Sequence, residues 1–179
     1  MSSPHRFVRP EDYLYPGTDV LRNRLGLTGA PELARAERAL TFGRLVQLRS
    51  TGAVPGRFDF AHLQAIHRHV FQDVYEWAGQ VRAVKLGKGA TQFCLPQHLE
   101  SFAATIFGGL ATEDLLMGLT ATEFDDGAAA LLADLNALHP IVWPLIGPDR
   151  MIQASIDAMR GDNIGLRSIL WESLPAPRD

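Results

Sequence analysis

A histidine followed by a proline, His139-Pro140, is the residue pair best suited to chemistry in this chain of 179 residues. The pair follows a helix predicted over residues 120–138, and a residue before proline is disfavoured in the helical region. A histidine where a helix meets a loop can act as a general base, because the ordinary pKa of histidine lies near neutrality. The simpler alternative is a histidine that interacts with the helix dipole. On spacing alone, both interpretations of His139 remain open.

A second candidate is the segment 84–93, in which apolar and polar residues alternate around Gly87-Lys88-Gly89. This pattern predicts a β-hairpin. An isolated hairpin is marginally stable, and its open edge can pair with an extended segment of another chain. The alternative is a plain connection between two helices.

Other polar residues give weaker signals. Three histidines fall in one predicted helix, namely His62, His67 and His69, but no HExxH pattern occurs, and we predict no metal ligands. His69 and Asp73 have the spacing of a helical ion pair. Cys94 has no CxxC partner, which favours a buried small residue over a reactive thiol.

Two features near the end of the chain have a structural and a functional interpretation. Trp143, Leu145 and Ile146 are apolar residues that pack in a core or form the wall of a small-molecule pocket beside His139. Ser168 and Glu172 are spaced as an ordinary pair on a helix.

Composition excludes several classes of function. The net charge is −3, so nothing indicates a nucleic-acid partner. No apolar run reaches the roughly 18 residues of a membrane span, and we predict no membrane partner. The single cysteine fits a reducing compartment. These features predict a cytoplasmic bacterial protein, although a secreted effector would have the same composition.

Hydrophobic periodicity predicts an all-α fold with one small hairpin. Residues 1–29 are predicted to be irregular apart from a short helix capped by Asp19, and residues 173–179 to be a flexible tail. A single domain over 1–179 is expected from the length. The predicted helices cover residues 30–50, 59–71, 96–110, 120–138 and 149–160.

Several stretches, in order along the chain, resemble the Fic (filamentation induced by cAMP) family. Residues 13–23, YLYPGTDVLRN, are similar to the start of a YPGTDVLRN-type subgroup. Residues 65–79, AIHRHVFQDVYEWAG, resemble the family segment IHxxLFxDVYxWAG, and Arg82 matches the arginine that closes it. Residues 88–93 resemble its KGxTxF flap, and residues 136–140, NALHP, its catalytic lead-in. The resemblance covers nearly the whole chain.

The resemblance implies a helical Fic domain that transfers AMP from ATP to a hydroxyl group of a target protein, with Mg²⁺. His139 would take the proton of that hydroxyl, and the flap residues Lys88, Gly89, Thr91 and Phe93 would bind the target. Many such proteins have a small helical antitoxin with a Ser/Thr-x-x-x-Glu-(Gly/Asn) element, which makes an antitoxin a further expected partner. Ser168 and Glu172 match its spacing, but Ser173 replaces Gly or Asn.

The chain departs from the family where the motif His-Pro-Phe-x-(Asp/Glu)-Gly-Asn-Gly-Arg-x-x-Arg should continue. An alignment without gaps puts Ile141 and Trp143 on the Phe and the acid, and a shift of three residues still leaves Ile146 on the acid. A third alignment matches residues 149–163 to a later family helix. Roughly 20–30 residues are then missing after Pro140, the scale of one loop and one helix.

The third alignment predicts that the metal carboxylate and the phosphate-binding turn are absent, with Arg150 as the remaining candidate for phosphate contact. Three functions follow: an impaired protein adenylyltransferase, an inactive Fic-fold binding or regulatory protein, and a divergent small-molecule enzyme that uses His139.

Overall fold

The computed structural model of this chain describes residues 7–88 and 91–138. Gly89, His139, Arg150, the apolar group 143–146, the predicted helix 149–160 and the tail 173–179 lie outside this part. The described residues fall into two compact units, a first unit of residues 7–85 and a second unit of residues 86–138. None of the helices in these ranges is long and apolar enough to cross a membrane.

Two packed helices form the larger part of the first unit. Helix α1 covers Ala30–Thr51 and ends at Gly52, whose φ of 60° is the left-handed conformation common at helix ends. Helix α2 covers Phe60–Phe71, and the side chain of Asp59 caps it by accepting a hydrogen bond from the His62 amide at 2.8 Å. Both helices agree with their predicted bounds to within one residue.

The N-terminal segment of the first unit contains no helix at Asp19, so that prediction was wrong. A short 3₁₀ turn covers Pro10–Tyr13, and the chain then folds back so that the Tyr15 amide donates to the Val20 carbonyl at 2.9 Å. Gly17 has a φ of 73° in the turn between them. The Pro-Gly pair favours this reversal over a helix, and the turn explains the YPGTDV stretch as structure.

The aromatic residues of the VYEWAG stretch form the core of the first unit. Trp77 is 2% exposed, and the ring centroids of Phe7, Tyr13 and Tyr75 lie 4.7–5.2 Å from its own. Such contacts add stabilisation to the burial of the rings themselves. The N-terminal segment is therefore held to the chain after α2 by aromatic packing.

Two further residues of this stretch have structural roles. His67 is buried, and its Nδ1 accepts a hydrogen bond from the Gly79 amide at 3.0 Å. Gly79 has a φ of 78°, and a Cβ there would lie 2.7 Å from Arg68 Cβ and from the Gln64 carbonyl oxygen. This position therefore requires glycine on both conformational and steric grounds. The similarity of this segment to the family pattern reflects packing requirements.

A buried carboxyl group connects α1 to the chain after α2. Glu37 is 3% exposed and accepts a hydrogen bond from the hydroxyl of Tyr75, which is also buried. Burial raises the pKa of the Glu37 carboxyl, although the Tyr75 hydrogen bond and Arg38 act in the opposite direction. Helix propensity and hydrophobic periodicity do not reveal this pair, because a glutamate in a helix is usually solvated.

A second contact from α1 involves Asp73, for which the sequence predicted a helical pair with His69. Arg44 donates hydrogen bonds to both carboxylate oxygens of Asp73, at 2.7 and 2.9 Å. The guanidinium group lowers the pKa of Asp73. Beyond these contacts the apolar residues of α1 are divided between two faces: Leu33 is buried, whereas Phe42 and Val46 are 67% and 50% exposed.

The second unit consists of a hairpin and two packed helices. Helix α3 covers Leu99–Thr112 after a 3₁₀ turn at Pro96–His98, and helix α4 covers Ala121–Leu138. Thr120 and Glu123 form a reciprocal cap at the start of α4, with the Thr120 amide donating to the Glu123 carboxylate at 2.9 Å. Both helices confirm the predicted elements, although α3 begins at Leu99 and not at Pro96.

The turn between α3 and α4 has an uncommon backbone conformation. Asp114, Leu115 and Leu116 have φ values of 49°, 57° and 60°. Left-handed residues other than glycine usually occur singly, because the conformation costs roughly 1–2 kcal/mol per residue. Leu116 is nonetheless buried against α3 and α4, and this burial offsets part of the cost.

The hydrogen bond between Tyr75 and Glu37 gives a stability prediction. Tyr75→Phe leaves the Glu37 carboxyl buried without this donor, and we expect the free energy of unfolding to fall by about 1–3 kcal/mol in urea denaturation. The matched control is Tyr15→Phe, because the Tyr15 hydroxyl is half-buried and donates to a backbone carbonyl at 3.3 Å. Equal losses in the two variants would contradict a special role for Glu37.

The raised pKa of Glu37 predicts a pH-dependent stability. Because the folded state favours the protonated carboxyl, its contribution is fully present below the ordinary value of 4.5 and is lost as the pH rises through the folded value. We therefore expect Glu37→Gln to gain stability relative to the wild type as the pH rises above 4.5, with a slope of at most about 1.4 kcal/mol per pH unit. Urea denaturation at a series of pH values measures this difference, with the exposed Glu32→Gln as the control. A difference that stays constant with pH would show that Glu37 titrates normally.

Candidate functional site

The predicted hairpin is present, but two of the three residues predicted for its turn, Gly87 and Lys88, lie in a strand. Strand β1 is Gly87–Lys88 and strand β2 is Thr91–Gln92, paired antiparallel with Gly87 opposite Gln92. The Phe93 amide donates to the Leu86 carbonyl at 3.1 Å and extends the ladder by one bond. Gly87 and Lys88 are thus strand residues. The upstream valines, Val81 and Val84, are not part of a strand, although Val84 is buried.

One backbone hydrogen bond fixes this hairpin to α4. The Cys94 amide, directly after the ladder, donates to the Ala137 carbonyl at 2.9 Å. Carbonyl groups in the last turn of a helix lack a partner within the helix, so the bond satisfies a helix-end acceptor and also positions the hairpin. His139 follows Ala137 by two residues in the sequence. A hydrogen bond therefore joins the hairpin that carries the predicted flap to the end of the helix that precedes the predicted base in the sequence.

The outer edges of the hairpin are the feature on which the flap prediction depends. Within the described ranges the sheet has two strands, so each strand has an edge outside the ladder. Unpaired edge groups are a template for an added extended segment. Gly87 and Gln92 are exposed, whereas Phe93 is half-buried and faces partly into the unit.

The structure locates part of the predicted site. The backbone of Lys88 and Thr91 and the whole of Phe93 lie in the hairpin, as predicted for the flap. Gly89, His139 and Arg150 lie outside the described residues, so their placement stays a prediction. Among the described residues, no group of three His, Cys, Asp or Glu side chains could hold a metal ion.

The charged residues that follow the hairpin in the sequence are all acidic as far as residue 149. Lys88 is followed by no Lys or Arg until Arg150, whereas residues 89–138 contain seven acidic residues. Partial burial raises the pKa of one of them, Asp134 on α4. Residues 89–138 therefore contribute only negative formal charge.

The role of Cys94 could not be predicted from its side chain. Cys94 was predicted to be a small buried residue, and it is half-buried. Its backbone amide makes the structural contribution, and every residue except proline has that donor. Only the proximity of a hairpin to a helix end, which depends on tertiary structure, makes this particular amide important.

Comparison with known proteins identifies the family to which this chain is similar. The model of the Fic/DOC family matches residues 57–142. The chain is 45% identical over 138 residues to a probable protein adenylyltransferase, y4lH, of Sinorhizobium fredii, which covers 75% of this chain and 69% of that protein. It is 40% identical over 187 aligned positions to the protein adenylyltransferase VbhT of Bartonella schoenbuchensis, which covers 92% of this chain but 39% of the relative.

Solved structures confirm the all-α fold. The BepC protein of Bartonella tribocorum, a translocated effector solved with bound AMPPNP, superposes with a TM-score of 0.80 over 98% of this chain and 100% of that chain, at 22% identity. An identity at this level supports the fold and carries no information about ligands of this chain.

The bond between Cys94 and Ala137 can be tested by hydrogen exchange. Cys94→Pro removes the donor, whereas the matched control Cys94→Ala keeps it. Loss of one backbone hydrogen bond costs about 0.5–1.5 kcal/mol of local stability. We expect the Phe93 amide to exchange up to roughly tenfold faster in the proline variant and at the wild-type rate in the alanine variant. Equal protection in all three proteins would show that this bond does not hold the hairpin.

Proposed function

The chain belongs to the Fic/DOC family, and from this membership we propose that it is a Fic-type protein adenylyltransferase with an impaired catalytic site. In the proposed reaction a hydroxyl oxygen of a target protein forms a bond to the α-phosphorus of ATP. The bond between that phosphorus and the bridging oxygen breaks, and pyrophosphate leaves. His139 takes the hydroxyl proton, and the target segment pairs with the edge of the hairpin.

The observation that carries this proposal is the hydrogen bond from Cys94 to Ala137, 2.9 Å long. It joins the hairpin to the end of the helix that leads into His139-Pro140. A target held on the hairpin edge by backbone hydrogen bonds would present its side chain to that junction. Such positioning contributes a large share of catalysis in transfer reactions that require little covalent chemistry from the protein.

The residues of this chain do not fit the magnesium ion that the family implies. Magnesium requires oxygen ligands, usually carboxylates, and between Pro140 and Pro148 the sequence has neither a carboxylate nor a side-chain amide. The alignment to VbhT extends over 187 positions, more than the 179 residues of the chain, so it contains gaps in this chain, as a deletion requires. We therefore assign no catalytic step to a metal and expect weak transfer at most.

A second candidate is a Fic-fold protein that binds a target or an antitoxin without modifying it. The same missing residues favour it. The two candidates differ in one respect: the first requires His139 for a covalent change in the target, whereas the second requires the hairpin and not His139.

The decisive experiment restores the missing segment. The native chain, a graft that inserts the corresponding y4lH residues after Pro140, and each of these with His139→Ala are incubated with labelled ATP. We expect the graft to incorporate AMP into itself or an added bacterial extract at least about 10²-fold faster than the native chain, because loss of even one preorganised donor costs 10²–10³ in rate. His139→Ala should abolish incorporation in both backgrounds.

Two outcomes would contradict the proposal. Native and grafted chains with equal, strong incorporation would show that the catalytic site is intact without the segment. A graft that folds and binds ATP by calorimetry but incorporates no label would favour the binding protein instead.

A further inference from the structure

An open groove lies between α3 and α4 in the second unit, with a volume of about 240 Å³. The groove is small compared with the roughly 300–1,000 Å³ of typical small-molecule sites. Its walls are mainly apolar, and they include Phe102, Ile106 and Leu110 from α3 and Leu131 from α4. A groove of this size and character can receive a few apolar side chains of another protein.

Two glycine residues line the groove, Gly109 on α3 and Gly127 on α4. Gly127 makes room for Leu116, because a Cβ there would lie 2.9 Å from Leu116 Cδ2. A Cβ placed on Gly109 would meet none of the described atoms within 4 Å. The neighbouring Gly108 also has room for a Cβ but does not line the groove. Glycine in a helix interior costs about 0.5–1 kcal/mol relative to alanine, and the fold does not require it at position 109 for steric reasons.

Exposed apolar side chains lie close in the sequence to the residues that line the groove. Met117 follows Leu116, which lines the groove, and is 60% exposed, and Phe124 is 41% exposed. Phe124 precedes Gly127 by three residues and Leu131 by seven, so the three lie on one face of α4. An apolar face longer than the cavity itself suits a helix, which presents anchors over several turns.

The rim of the groove is acidic. Glu113 at the end of α3 and Asp134 on α4 line it, and partial burial raises the pKa of Asp134. Asp114 and Glu123 lie close in the sequence to residues that line the groove. The sequence from residue 89 to residue 149 contains no Lys or Arg. A ligand that brings cationic side chains to this rim would supply the charges that this part of the chain lacks.

We propose that the groove between α3 and α4 is a docking site for an amphipathic helix of a partner protein, with apolar anchors at i, i+3 or i+4 and i+7 and with flanking Lys or Arg residues. A second copy of this chain is a poor occupant, because two acidic rims would face each other. An anionic membrane is repelled for the same reason. The proposal concerns a different surface from the hairpin and does not depend on AMP transfer.

The test uses a synthetic helix of leucine and lysine, roughly 14 residues long with leucine at every third or fourth position. Its binding to the full chain is measured by fluorescence anisotropy at several salt concentrations. A peptide with glutamate in place of lysine should bind at least about tenfold more weakly. Glu113→Gln and Asp134→Asn should each weaken binding of the lysine peptide about threefold to tenfold and reduce its salt dependence.

A matched pair of glycine variants separates groove binding from general attraction to an acidic protein. Gly109→Leu fills the groove, and we expect affinity for the lysine peptide to fall about tenfold or more. Gly108→Leu makes the same chemical change outside the groove and should leave affinity within about twofold. Melting curves show whether both variants fold. If Gly109→Leu does not fold, Gly109→Ala replaces it, and we expect a smaller loss of peptide affinity for that variant.

Three results would overturn the proposal. The first is equal affinity of the peptide for Gly109→Leu and for the wild type, which would place the peptide elsewhere on the acidic surface. The second is binding of the chain to vesicles of anionic lipid that Gly109→Leu abolishes. The third is self-association in sedimentation that Gly109→Leu abolishes and Gly108→Leu does not.

Discussion

The backbone hydrogen bond from the Cys94 amide to the Ala137 carbonyl constrains the hairpin at the end of α4. A four-residue ladder cannot hold a defined position by itself, because two-stranded hairpins are marginally stable in water. An acceptor at a helix end is also left without an intrahelical partner. The bond resolves both problems at once. The hairpin thereby acquires a fixed place beside the residues that lead into His139-Pro140.

The first unit shows that a recognisable sequence need not be a catalytic one. The residues that make the VYEWAG stretch distinctive are a buried tryptophan, a tyrosine that donates to buried Glu37, and a glycine with a φ of 78°. Each is constrained by packing, by hydrogen bonding or by backbone conformation. A family pattern in this stretch therefore reports that the fold is retained, and it says little about whether the chemistry is retained.

The helices and the family could be predicted from sequence, because both depend on local or repeated signals. Asp59 before α2 and Thr120 before α4 are caps that act over three residues. The pairing of Glu37 with Tyr75 and the bond from Cys94 to Ala137 join residues far apart in the chain, and no local pattern encodes them. The helix predicted after Asp19 is absent because the Pro16-Gly17 pair before it favours a chain reversal. Gly87 was predicted to lie in the hairpin turn but lies in a strand, because glycine can occupy either.

The left-handed turn at 114–116 also bears on how this protein can change over generations. Three successive non-glycine residues there adopt an unfavourable backbone conformation that the buried Leu116 helps to compensate. A segment held in this way has little tolerance for inserted or deleted residues, since any change in its length would withdraw Leu116 from between the helices. The loop at 52–58 is mostly exposed, but it is restrained as well: His62 Nδ1 accepts a hydrogen bond from the Phe58 amide at 3.2 Å, and His62 Nε2 lies 3.0 Å from the Val54 carbonyl oxygen. Length variation among close descendants of this chain should spare the α3–α4 connection.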